Sequence, residues 1–126
     1  MAFLNDRVYD NGLGVFNAEA NRIDICSALP STYAQATDDD TGLSLCNKTS
    51  YTVGAPAAGS PDGRQVTAAS VADGDVTKTG TASHWAITDT VNSRLLAAGS
   101  LSSSQAVTQG NTWTIGAFTI RIAAPA

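Results

Sequence analysis

The sequence predicts an all-β chain, an antiparallel β-sandwich or jelly-roll-like single domain with a short N-terminal helix or arm. The first observation is the second half of the chain. In RQVTAASVADGDVTKTGTASHWAITD and RLLAAGSLSSSQAVTQGNTWTIGAFTIRIA, small and β-branched residues alternate, and Gly, Asp and Asn fall at the breaks. That is the pattern of half-buried antiparallel strands and their turns. The second is size: 126 residues suffice for one core that buries about two thirds of the surface of the unfolded chain. The third is composition. Charged residues make up only 14% of the chain while Ala, Ser, Thr and Gly abound, so small neutral side chains must cover much of the surface. We divide the chain into an arm over 1–14 and a sandwich domain over 15–126.

In FLNDRVYDN, residues 3–11, Leu4 and Val8 lie four apart and Gly12 follows, which predicts a short helix closed by a C-terminal glycine. Ala20-Asn21 reads as a turn. From Arg22 the chain alternates, with Ile23 and Ile25 on one face and Arg22 and Asp24 on the other, so a strand is expected. Ser31 is placed to cap one helical turn in TYAQAT, and Asp38-Asp39-Asp40 follows as a loop. LSLCN and SYTVG read as two strands around Asn47-Lys48-Thr49. APAAGSPDG reads as a loop or exposed arm, since its prolines and glycines oppose regular pairing.

Strands are then expected over 64–72, 75–79, 81–89, 93–101, 105–108 and 111–122, with Asp73-Gly74 as a turn and SLSSSQ as a short polar turn. Trp113 and Ile115 share one parity, while Phe118, Ile120 and Ile122 share the other. An unbroken strand would send half of these apolar groups into solvent, so a bulge is expected at Gly116-Ala117. Trp85 and Ile87 form an inward pair with His84 on the opposite face, and Trp85 and Trp113 are the expected core anchors.

Several function classes are disfavoured. A net charge of −4 and a pI near 4.5 do not suit a binder of nucleic-acid backbones, which needs clustered Lys and Arg. No window has the roughly 18 apolar residues of a membrane-spanning helix, and MAFLNDRVYD lacks the basic-then-apolar order of an export signal. Cys26 and Cys46 are therefore expected as free thiols of a reducing compartment. Neither belongs to a CxxC pair, and the lone His84 is distant, so no metal or cofactor is expected. Asp38-Asp39-Asp40 lacks the spacing of a calcium loop. Asn47-Lys48-Thr49 matches a glycosylation sequon, which has meaning only with export, and export is not expected here. His84 has no partner in a local catalytic signature, and no enzyme activity is expected.

The run HWAITDTVNSRLLAAGSL followed by SQAVTQGNTWTIGAFTIRI, with FLNDRVYDNGL and ANRIDICSALPSTYAQAT, resembles small virion proteins encoded among the structural genes of tailed bacteriophages. The likeness spans most of the chain and carries no functional residues across. It implies a β-sandwich that decorates or cements a capsid, or sits near the tail. The implied partners are the major capsid protein or other virion proteins, within a particle assembled in the host cytoplasm. Copies of the chain are expected to associate, as trimers if the protein sits on local three-fold axes. The candidate contact residues are Phe3, Leu4, Arg7, Val8 and Tyr9 of the arm, with Pro56 and Pro61 of the loop. The alternative is a receptor- or carbohydrate-binding module of a tail fibre or spike, using Tyr33, Tyr51 and Trp85 as a sugar platform. A cell-wall hydrolase ranks below both, for want of paired acids.

Overall fold

A computed structural model describes residues 3–4, 12–59 and 63–122. The strands are β1 (Phe3–Leu4), β2 (Arg22–Cys26), β3 (Ser44–Thr49), β4 (Ala57–Ala58), β5 (Arg64–Ala68), β6 (Val71–Val76), β7 (Gly80–Asp89), β8 (Arg94–Val107), β9 (Thr112–Ile115) and β10 (Phe118–Ile122). The described residues also contain two short helices, α1 (Gly14–Glu19) and α2 (Tyr33–Thr37). The fold is all-β and antiparallel, with a seven-stranded sheet ordered β1-β8-β7-β2-β3-β6-β9 and a three-stranded sheet ordered β10-β5-β4.

The two sheets enclose the main core. Ile23, Ile25, Ile87, Leu96 and Trp113 of the large sheet meet Val66 and Ala68 of the small one, with Phe16 of α1 inserted among them. Trp85 and Phe118 join the sheets directly, with ring centroids 4.8 Å apart. The opposite face of the large sheet is covered too. There Cys26, Ala86, Leu95 and Ala98 pack with Ala36 of α2 and with Leu29 and Leu43. This outer cover explains why β2 is buried along both faces from Ile23 to Cys26.

Asp24 lies beneath that cover and is fully buried. Arg22 Nε and Nη2 donate to its two carboxylate oxygens at 2.7 and 2.9 Å, and Ser44 Oγ donates at 2.6 Å. Arg22 Nη2 also reaches the Thr37 carbonyl at 3.2 Å, so the same group fastens α2 to the sheet. Burial pushes the Asp24 carboxyl above its ordinary range, against the pull of the Arg22 and Ser44 hydrogen bonds.

Four register shifts curl the large sheet. Leu45 is the extra residue opposite Ile25-Cys26, and Leu96 the extra residue opposite Ile87-Thr88. Both leucines turn into the main core, since a bulge lets two successive side chains share one face. A third shift sets Ala72-Asp73 against Thr114. In the fourth and largest, Leu101–Ser104 of β8 spans the distance that Ser83 alone covers on β7.

The structure corrects several expectations. Phe3–Leu4 is a strand paired with Ala98 and Ala97, and residues 5–11 of the expected helix lie outside the described residues. A short helix that the sequence reading did not expect covers Gly14–Glu19, where Leu13, Phe16 and Ala20 stand three and four apart. Thr32, one residue after the expected Ser31, caps α2 by accepting from Gln35 N at 3.1 Å. Ser31 instead donates to Gln35 Oε1.

Asn47-Lys48-Thr49 belongs to β3, because β2 extends far enough to pair Arg22 with Thr49. The chain reverses at Ser50, which has φ 55°. Beyond it, Val53 makes only a bridge to Ala68. In the expected APAAGSPDG loop, Ala57–Ala58 pairs with Arg64 and Gln65. The turn expected at Asp73-Gly74 is displaced to 69–70, and both residues lie inside β6. SLSSSQ stays in β8 as the large bulge.

Gly116-Ala117 is a change of sheet: β9 pairs with β6 in the large sheet and β10 with β5 in the small one. The parity switch is real, and its cause is that each strand faces the core from a different layer.

Trp113 pairs with Gly74, and a Cβ at Gly74 would collide with the indole Nε1. Gly116 has no positive φ and nothing within 4 Å of its Cβ position. Gly74→Ala should therefore lower stability by about 2–3 kcal/mol, the scale of an overpacked core, while Gly116→Ala should cost under about 1 kcal/mol. Urea denaturation of both variants measures the contrast, and equal midpoints would contradict it. A second pair of variants separates buried from exposed charge. Asp24→Ala should cost about 3 kcal/mol by stranding Arg22, whereas Lys48→Ala, which removes an exposed pair with Asp73, should cost under about 0.5 kcal/mol.

Candidate functional site

The curl of the large sheet leaves an open cleft of about 390 Å³ between the distal half of β8 and β9. Its floor is made by Ile25, Cys46, Val76 and Ala82 from the inner face of the sheet. Leu101, Ser102, Ser103 and Gln105 of β8 line it with Thr112, Trp113 and Thr114 of β9. Among the described residues no charged side chain lines the cleft.

The turn that joins these elements is locally determined. Asn111 N donates to the Thr108 carbonyl at 3.1 Å, and Gly110 has φ 91°, an angle that glycine adopts without steric penalty. Gly110 N then donates to the Val76 carbonyl, and Val76 N donates to the Asn111 carbonyl, each at 3.0 Å. This arrangement is a glycine bulge that delivers β9 to β6. Trp113 is 7% exposed, and its Nε1 donates to the Asn47 carbonyl at 3.1 Å, so the indole is a fixed part of the cleft.

Sequence reasoning missed this region, yet it left a signal. From Leu95 to Ile120 the chain contains no Asp, Glu, Lys, Arg or His. On β8, Ser100 and Ser102–Ala106 of that run are exposed.

The expected contact residues are placed elsewhere. Phe3 and Leu4 lie in β1 at the edge of β8. Pro56 is half-buried, and its carbonyl accepts from Arg64 Nη2 at 3.3 Å. Arg7, Val8, Tyr9 and Pro61 lie outside the described residues.

The three aromatics proposed as a sugar platform do not form one. Tyr51 is buried in the main core and donates its hydroxyl to the Ala69 carbonyl at 2.6 Å. Trp85 packs on Phe118.

Ser83 and His84 come together, with Ser83 Oγ 2.7 Å from His84 Nδ1. Ser83 Oγ also donates to the Ser27 carbonyl at 2.9 Å. A hydroxyl has a single proton, and this one is directed at Ser27, so Nδ1 is the donor toward Ser83. That polarity is the reverse of what a base-activated serine requires.

Asp38 is occupied by its own loop: Oδ1 accepts from the backbone N–H of Asp40 and Thr41, and Oδ2 from Thr41 Oγ1. These bonds hold its carboxyl below the ordinary range. Among the described residues no group of three His, Cys, Asp or Glu side chains could hold a metal ion. Nor is any described helix long and apolar enough to cross a membrane.

Cys26 and Cys46 are free and buried. Cys46 turns to the main core and Cys26 to the outer cluster, so the sheet itself separates them. Comparison with known proteins found no matching family model, no matching curated protein and no matching solved structure.

Burial pushes the Cys26 thiol up to about 12 and the Cys46 thiol up to about 11. Both groups should resist a water-soluble disulfide reagent at pH 8 in the native protein and react only after unfolding; rapid native labelling would contradict the assigned burial. Thiols of the unfolded chain ionise near pH 9 while the folded ones stay neutral, so this contribution to stability is complete well below pH 9 and is lost as pH rises through about 11 for Cys46 and about 12 for Cys26.

Proposed function

We propose that this chain is a non-enzymatic structural protein of a tailed-bacteriophage virion, a decoration or cement-like protein that seats on the major capsid protein or a neighbouring virion protein. The observation that carries this reading is the uncharged run from Leu95 to Ile120, much of it exposed along β8. Interface centres are depleted in charge, because burying an unpaired charge costs more than burying a neutral group. Ala, Ser and Thr also lose less rotamer entropy on contact than Lys or Glu, so less of the contact energy is offset. The sequence resemblance to phage virion proteins supplies the setting.

In that setting each copy needs only a standard-sized contact of roughly 1,000 Å² or more, since repeated attachment to neighbouring subunits raises the effective concentration. Closed self-association, with trimers on local three-fold axes, would multiply the attachments further.

Particles purified from a host that carries the gene provide the test. We expect the protein in them at many copies, with density on the outer capsid surface by electron cryomicroscopy. Density confined to the tail tip would move the reading to a receptor-binding module. Soluble protein that never joins a particle would reject both.

A further inference from the structure

We propose that the cleft between β8 and β9 binds an extended, uncharged peptide segment of a partner protein, which adds to the sheet as a strand. The inference deepens the docking reading above by naming the surface and the form of the partner. Among the described residues β9 pairs only with β6, and β8 beyond Ser100 pairs only with β7. The last residues of β8 and all of β9 line the same cleft, so two strand edges without a described neighbour face one space.

The direction of the free backbone groups follows from the register. Val76 exchanges hydrogen bonds with Gly110 and Asn111. Antiparallel pairs alternate between bonded and non-bonded positions. The next pair, Asp75 with Thr112, is therefore non-bonded, and Gly74 with Trp113 is bonded. This turns the N–H and C=O of Thr112 and Thr114 away from β6 and toward the open edge. Edge strands are commonly guarded by a lysine, a proline or an inward charge. TWTI has none of these.

The cleft also specifies its occupant. A charged segment would lose hydration with no counter-charge to meet it, because Ser102, Ser103, Gln105, Thr112 and Thr114 are neutral. A stacked sugar would need an open aromatic face, and Trp113 is nearly buried. An extended peptide matches both features: its backbone bonds to the open edges, and alternate small or β-branched side chains point to the apolar floor.

A twelve-residue random peptide library displayed on yeast, selected against the full-length protein, tests this directly. The expected result is enrichment of uncharged peptides with alternating small or β-branched residues. A synthetic copy of the enriched peptide should slow amide exchange at Thr112 and Thr114 in the wild-type protein. Thr114→Pro, which removes an outward N–H, and Ser103→Asp, which places a charge in the cleft, should each weaken binding about tenfold or more. The exchange measurement needs no variant, so it stands even if Thr114→Pro fails to fold. Enrichment of charged peptides, enrichment of none, or binding that leaves Thr112 and Thr114 unprotected would overturn the proposal. A protein that decorates particles with those two amides unprotected would lose this inference while keeping the docking function.

Discussion

Each tryptophan of this chain lies across a glycine on the adjacent strand, and the shape of the large sheet depends on that contact. Trp113 is paired with Gly74 and Trp85 with Gly99. A Cβ at Gly99 would approach the Trp85 ring to 2.9 Å. With no side chain below it, an indole can lie flat on the neighbouring strand and fill the space that a curled sheet leaves beneath its concave face. Trp85 thereby reaches Phe118 in the small sheet, and Trp113 closes the floor of the cleft beside β9. Both the joining of the two layers and the geometry of the candidate site follow from these two pairs.

A second constraint governs where charge is placed. Arg22 and Asp24 satisfy each other beneath α2, Asp38 serves its own turn, and Asp89 accepts from the backbone of Val91 and Asn92 to hold the β7–β8 turn. The fold thus uses several of its few charged groups to fix loops and the outer cover. What remains along distal β8 and β9 is neutral backbone edge and short hydroxyl side chains. Such a surface has a low desolvation cost, because none of its groups carries a charge.

The strands themselves were legible, because alternation of apolar and polar residues is a local property. β2, β7 and the parity switch after Ile115 could all be read from spacing. The errors share a physical origin in long-range pairing. Asp73-Gly74 carries turn chemistry, but Trp113, far away in sequence, requires a glycine in mid-strand. Asn47-Lys48-Thr49 looks like a turn until Arg22 claims Thr49 as its partner. Asp24 has the parity of an exposed residue and is buried because α2 lies over it. The cleft was invisible for the same reason, since its two edges are brought together only by the curl. Its trace in the sequence was an absence of charge, and absences are harder to notice than motifs.

The bulges at Leu45 and Leu96 have a consequence for how this fold can change. In a regular ladder, removing one residue flips every later side chain to the other face. At Leu96 that rule is suspended. Leu95 is already opposite Thr88 and Ala97 opposite Ile87, so excision of the leucine would join two segments that are in phase. The loss would be the buried side chain alone, with the pattern from Ala97 to Val107 preserved. Chain length and strand phase are thereby uncoupled at these two points, and a shortened β3 or β8 could still present the same faces to the core and to solvent.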